Sequence, residues 1–156
     1  QLANYLGADV TAVCSSSNFA MVRSLGADHA IDYTKVDFTK TANSYDVIFD
    51  TVGKSSFPAC KEILTKNGTY LSPVLSMPLL FQMLWTSKFG SKKAKFAATG
   101  LVAVPKLRNM LHELTNLLNE GELKLVIDKR YTLHEVEKAH SYVDTGRKRG
   151  NVVINM

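Results

Sequence analysis

A glycine-rich phosphate loop, a cysteine framework and a long uninterrupted apolar run are all missing from this chain. Its nine glycines are scattered over 156 residues, and nowhere do they form Gly-x-Gly-x-x-Gly. The tight turn and helix N-terminus that cradle a pyrophosphate in a βαβ unit are therefore not spelled out. Only two cysteines are present, Cys14 and Cys60. Their separation suggests neither a disulfide framework nor a zinc knuckle, and points to reduced thiols in the cytoplasm. The apolar stretch from Leu71 to Trp85 is broken by Pro73 and Pro78 and is too short to span a bilayer comfortably. No Gly-x-Ser-x-Gly elbow occurs, so hydrolase chemistry has no support. His134 and His140 lie six residues apart and share no helix face, which removes the one apparent metal motif. His29, His112 and His140 read as surface or helix-packing residues.

What is present is an ordinary globular composition, 46% apolar and 21% charged, with a net charge of +5. The positive excess gathers at Lys88, Lys92, Lys93 and Lys95 and at Arg147, Lys148 and Arg149. No nucleic-acid module and no aromatic platform accompanies it, so these are solvated faces and nucleic-acid binding is rejected.

Strand and helix signals alternate along the chain. A short helix runs into Gly7, and Val10–Cys14 is a buried-strand run. Phe19–Leu25 is a helix that Asn18 is placed to cap and Gly26 ends. Ala30–Tyr33 and Asp46–Asp50 are strands, the second followed by a turn at Thr51-Val52-Gly53. Ser56–Leu64 reads as a helix that stops near Asn67-Gly68, with Thr69–Val74 the next strand. Asn67-Gly68-Thr69 also matches a glycosylation acceptor, but a plain helix-to-strand turn accounts for it. Lys93–Ala98 is a further strand, and Pro105–Asn119 an amphipathic helix carrying Leu107, Met110, Leu111, Leu114, Leu117 and Leu118 at helical spacing. The tail reads as strand Lys124–Ile127, helix Leu133–Val143 capped by Thr132, and strand Asn151–Asn155.

Strands alternating with helices predict an α/β fold, a doubly wound parallel sheet, because parallel neighbours need crossover connections. The sheet pattern runs up to Gly121; the strand, helix and strand that follow are expected to dock on a separate domain. The chain opens inside a helix, with no initiator Met and no strand before it. The expectation is the back half of a longer protein.

Two blocks carry a family resemblance: Leu25-Gly26-Ala27-Asp28-His29-Ala30-Ile31-Asp32-Tyr33 and Tyr45-Asp46-Val47-Ile48-Phe49-Asp50-Thr51-Val52-Gly53. Val126–Leu133, Ala139-His140 and Thr145–Ile154 add to them in the tail. Together they resemble the medium-chain dehydrogenase/reductase superfamily, nearest its zinc-independent quinone oxidoreductase-like branch. The resemblance implies a Rossmann-like sheet of strand order 3-2-1-4-5-6, here without its first strand and glycine loop, with residues 1–123 as a partial dinucleotide-binding domain and 124–156 as a segment that returns to a second, catalytic domain. The missing first strand would lie between the second and fourth. Its absence leaves two rows of backbone groups to pair with each other, pair between molecules, or face water, at about 1–3 kcal/mol per buried unpaired group.

The resemblance implies hydride transfer from a nicotinamide cofactor to a quinone or activated alkene or carbonyl. The segment after the second strand reads Ser15-Ser16-Ser17-Asn18, without the carboxylate that would hold adenosine ribose hydroxyls and repel a 2′-phosphate. Ser15, Ser16 and Asn18, with Tyr33 after the third strand, therefore point to NADP over NAD; a serine-rich turn with a helix cap is the plainer reading. Thr51, Val52 and Gly53 would approach ribose or nicotinamide, although any strand-to-helix turn also wants Gly53. Ser72 would face the nicotinamide, and Asn151 would reach the cofactor. Arg147 and Arg149 read as surface charge. Phe81, Trp85 and Phe89 read as core or interface, with a lid over a substrate cleft as the functional alternative. No catalytic residue and no metal ligand is assigned. The partners implied are a small-molecule substrate and a second copy joined through the Lys93–Ala98 edge strand, with no membrane. A zinc alcohol dehydrogenase portion and a non-catalytic Rossmann-like interaction module are the alternatives.

Overall fold

The computed structural model describes residues 1–98 and 101–156. Its strands are β1 (Thr11–Cys14), β2 (His29–Asp32), β3 (Tyr45–Phe49), β4 (Leu64–Ser72), β5 (Lys93–Phe96), β6 (Ile127–Thr132) and β7 (Asn151–Asn155). Its α-helices are α1 (Leu2–Tyr5), α2 (Phe19–Ser24), α3 (Phe57–Cys60), α4 (Met77–Lys88), α5 (Val104–Asn119) and α6 (Val136–Asp144). All ladders among the described residues are parallel, in three sheets: β1-β2, β3-β4-β5 and β6-β7. The α/β reading with parallel strands is borne out. β1 and β3 belong to different sheets, so of the alternatives for the missing strand's neighbours, pairing with each other does not occur.

The described residues form two compact units, Tyr33–Leu107 and a second made of Gln1–Asp32 with Arg108–Met156. The Tyr33–Leu107 unit contains the apolar core. Phe57, Cys60, Leu64, Tyr70, Leu79 and Ala94 are buried together, with Phe38, Ile48, Met83 and Phe96 packed against them. On β3, Ile48 turns inward while Val47 and Phe49, one pleat apart, are 57% and 52% exposed. The apolar β3 run thus buries one face only.

The largest departure from the sequence reading in this unit lies between α3 and β4. The helix predicted over Ser56–Leu64 closes after one turn, Phe57–Cys60, and β4 begins at Leu64. Tyr45 N–H donates to the Ile63 carbonyl at 2.8 Å, so the β-branched and apolar residues at 63–65 are drawn into the ladder against their local helical continuation. Asn67-Gly68 is therefore not a helix-to-strand turn. It lies within β4, where the pairing jumps from Tyr45↔Leu64 to Val47↔Thr69. A Cβ on Gly68 would stand 3.0 Å from the Tyr45 carbonyl oxygen and from Leu64 Cβ, so a side chain there would force the paired backbone or Leu64 to shift.

Pro73 and Pro78 read as interruptions in the sequence, yet helix α4 forms over Met77–Lys88. Ser76 accepts the Leu79 N–H at 3.3 Å as N-cap, and Pro78 sits in the first turn where it costs no hydrogen bond. Leu79, Met83 and Thr86 form its inward stripe, and Thr86 Oγ1 accepts the Ala94 N–H from β5 at 3.1 Å. Phe81, Trp85 and Phe89 fall outside that stripe and are 66%, 69% and 58% exposed. Their core reading is overturned.

In the other unit, the family-like Asp28 is a structural tie. Its Oδ2 accepts the Val10 N–H at 2.8 Å, and its own N–H donates to the Val10 carbonyl at 2.9 Å. Asn18 does not cap α2: it closes a 3-10 turn, Ser16–Asn18, and its Nδ2 donates to Ser15 Oγ at 3.4 Å. The tail strand predicted at Lys124–Ile127 lies at Ile127–Thr132 instead, because its partner β7 pairs with Lys129–Thr132 and only Ile127 overlaps the predicted span. Thr132 is the predicted cap, in a capping box with Glu135. Asp128 Oδ2 accepts the Tyr142 hydroxyl at 2.7 Å and the Arg149 N–H at 2.8 Å, which fixes α6 and the approach to β7 onto β6.

Candidate functional site

The predicted binding residues fall into separate groups. Thr51, Val52 and Gly53 form an exposed turn at the C-terminal end of β3, and Ser72 ends the neighbouring β4. Phe49 pairs with Leu71, so the parallel register brings the turn and Ser72 to the same end of one sheet. Ser15, Ser16 and Asn18 follow β1 in the other unit, with Ser16 exposed and Ser15 and Asn18 half-buried. Asn18 Oδ1 there is buried without a hydrogen-bond partner. Tyr33, 61% exposed, directly follows β2. Asn151 opens β7, where its N–H and Nδ2 both donate to the Val126 carbonyl, at 2.7 and 3.3 Å.

The turn after β3 is built around a residue that sequence reading treated only as the charged boundary of a strand. Asp50 Oδ1 accepts the N–H groups of Val52, Gly53 and Lys54 at 3.2, 2.8 and 3.3 Å. Its Oδ2 accepts the Ser55 N–H at 2.8 Å and the Tyr70 hydroxyl at 2.9 Å. The spacing Asp-x-x-Gly was the available signal, because an Asp side chain turns the chain by binding amides a few residues on. The second partner, Tyr70, comes from β4 and could not be read locally.

Burial pushes the Asp50 carboxyl up, but the Ser55 N–H, the Tyr70 hydroxyl and the Gly53 and Val52 amides outweigh it and hold it below the ordinary carboxylate value. Tyr70 is driven well above a free phenol, first by burial, then by its bond to the Asp50 carboxylate and the charge there. It is a neutral donor at physiological pH. Gly53 holds φ +72°, and a Cβ there would stand 2.9 Å from Val74 Cγ2, so both backbone and space call for glycine.

Beneath the turn lies a cavity of about 90 Å³ lined by Gly53, Ser55, Tyr70, Ser72, Val74 and Leu79, among others. It is far smaller than the roughly 300–1,000 Å³ of small-molecule pockets. The buried Ser72 Oγ accepts the Val74 N–H at 3.2 Å, and Ser55 Oγ lies 3.2 Å from Cys60 Sγ. Burial raises the Cys60 thiol above its usual value, so it is not a poised nucleophile.

An exposed turn beside a serine, at the C-terminal ends of adjacent parallel strands, is where open α/β sheets place ligands. Residues 25–154 match the family described as zinc-binding dehydrogenase. The chain belongs to that family. The resemblance to the medium-chain dehydrogenase/reductase superfamily, in its C-terminal portion, is thereby borne out. The chain is 30% identical over 158 residues to the chloroplastic quinone-oxidoreductase QR1 of Triphysaria versicolor, covering 99% of this chain and 47% of that protein. It is 31% identical to the chloroplastic NADPH-dependent alkenal/one oxidoreductase of Arabidopsis thaliana, covering 96% of this chain and 34% of that one. The quinone oxidoreductase structure from Coxiella burnetii superposes with a TM-score of 0.82 at 25% identity, covering 99% of this chain and 47% of that one. The chain spans about half or less of the length of these relatives.

The family's description implies zinc, but among the described residues no three His, Cys, Asp or Glu side chains converge to hold a metal. Nor is any described helix long and apolar enough to cross a membrane.

Proposed function

We propose that this chain is the cofactor-binding portion of an NAD(P)H-dependent oxidoreductase that transfers hydride to a quinone or an activated alkene or carbonyl. The observation that carries the reading is the turn at Thr51-Val52-Gly53, held beside Ser72 at the C-terminal end of the β3-β4 pair. Relatives named quinone oxidoreductase and NADPH-dependent alkenal/one oxidoreductase support it. A bound reduced nicotinamide supplies the hydride. In this reading Thr51, Val52, Gly53 and Ser72 border the nicotinamide half, and Asn151 adds a polar contact. Ser15, Ser16, Asn18 and Tyr33 receive the adenosine ribose; no carboxylate stands between Cys14 and Asn18 to repel a 2′-phosphate, so NADP is preferred. Residues 124–156 return toward a second domain.

The test is a titration of the isotope-labelled chain with NADPH and with NADH, followed by amide shifts. Shifts at Ser15–Asn18 and at Thr51–Gly53, saturating at lower NADPH than NADH, are expected. Equal or reversed affinities overturn the NADP preference, and shifts at neither segment overturn the cofactor reading itself.

The outer edge of β5 has no ladder partner among the described residues, and a second copy pairing there remains our proposal for assembly. The Ala94 N–H is already taken by Thr86, so such a copy would pair over the rest of the strand. Sedimentation of the chain as a concentration-independent monomer would dismiss it. Both cysteines are free thiols, which suits a reducing compartment such as the cytoplasm.

A further inference from the structure

We infer that Asp50 is a positioning residue that sets the polarity of the turn after β3: it turns the turn's amide donors inward, so that the turn takes hydroxyl or amide donors from a ligand and refuses phosphate. The inference rests on the dinucleotide reading and narrows which half of the cofactor this turn can meet.

Each residue brings one backbone donor and one acceptor. A loop that cradles phosphate must aim its N–H groups at the ligand. Here the four consecutive N–H groups from Val52 to Ser55 all converge on the Asp50 carboxylate, three on Oδ1 and one on Oδ2. They are spent. The turn, exposed from Thr51 through Lys54, keeps its carbonyl oxygens and the Thr51 hydroxyl for a ligand. Such an acceptor-rich edge suits ribose hydroxyls or a carboxamide N–H, and a fixed carboxylate behind it disfavours a second anion.

The arrangement is over-determined. Tyr70 reaches Oδ2 from β4 and is itself held in the cavity wall with Phe57, Val74 and Leu79. The partners of both carboxylate oxygens are donors, and Asp50 faces five of them at once. An asparagine satisfies only one side, because its NH₂ group meets N–H or O–H on the other. The charge, and not merely the shape, is required.

The experiment follows the Val52–Ser55 amides of the labelled chain during titration with nicotinamide riboside and, separately, with inorganic pyrophosphate. In the wild-type chain the riboside is expected to shift these amides and pyrophosphate to leave them still. In Asp50→Asn the released N–H groups are expected to respond to pyrophosphate, and riboside affinity to fall about tenfold. A wild-type turn that answers pyrophosphate, or a variant that behaves as wild type, overturns the inference. Tyr70→Phe removes one of the five donors and keeps the charge. It carries the test should Asp50→Asn not fold: faster exchange of the four amides with about threefold weaker riboside binding is expected, and no change in either overturns it. If NADPH shifts no residue anywhere, the dinucleotide reading is what fails. The polarity of the turn is then judged on pyrophosphate alone, where a silent wild type and a responding Asp50→Asn support it and any other pattern overturns it.

Discussion

The Tyr70 hydroxyl donates to Asp50 Oδ2 across 2.9 Å, joining the C-terminal part of the core strand β4 to the carboxylate that follows β3. Tyr70 is 3% exposed and packs edge-on to Phe57 at 6.4 Å between ring centroids, so its hydroxyl cannot swing to water without disturbing the core. The turn after β3 is thereby anchored to the best-packed part of the molecule.

This anchor is pH-dependent. The folded Asp50 carboxyl lies below its unfolded value of about 3.9, so its contribution is complete at neutral pH and is lost as pH falls through the unfolded and then the folded value. Urea unfolding at pH 7 and in the acid range should show a smaller acid loss for Asp50→Asn than for wild type. Parallel curves would rule the assignment out.

Leu79→Ala should cost about 2–5 kcal/mol, because the side chain is buried at the centre of the apolar cluster and its removal leaves a cavity. Trp85→Ala, six residues along the same helix and 69% exposed, should stay within about 0.5 kcal/mol. Denaturant midpoints of the two variants check the assigned faces of α4; a Trp85 loss as large as that of Leu79 would mean the face is covered in solution.

Gly53→Ala should destabilise by at least about 1–2 kcal/mol from the positive φ alone, with the contact to Val74 adding to it. The double variant Gly53→Ala with Val74→Ala should recover the contact part and not the backbone part. Equal stability of Gly53→Ala and wild type would show that the turn has another conformation.

In the tail, Asp128 raises the Tyr142 phenol above its ordinary value, chiefly through their hydrogen bond. Ultraviolet titration of the phenolates should therefore show one tyrosine returning toward an ordinary value, about 10, in Asp128→Asn. The same variant should speed amide exchange along β7, since Asp128 also holds the Arg149 N–H. An unchanged titration would sever the link between α6 and β6.

Much of the fold was legible because it rests on local pattern. Val10–Cys14, Asp46–Asp50 and Asn151–Asn155 announce strands by β-branched content, and Pro105–Asn119 announces α5 by helical spacing. The errors arose where a distant partner overruled a local preference. Ile63 and Leu64 continue a helix on propensity, yet the β3 ladder claims them. The polar run Asp128-Lys129-Arg130 hid β6, since its pairing with β7 owes little to apolar content.

By itself the sequence determined the alternation of strands and helices, the parallel pairing that alternation demands, and the two motif blocks that place the chain in its family. These follow from side-chain periodicity and short-range turn chemistry, which act within a few residues. The tertiary structure alone decided the bulge at Gly68, the exposure of Trp85, and the arrival of the Tyr70 hydroxyl as the fifth donor on Asp50. Each depends on a group brought from another strand or helix. Four donors reach the Asp50 carboxylate from within five residues of it, but the Tyr70 hydroxyl arrives from β4, which no short window around Asp50 contains.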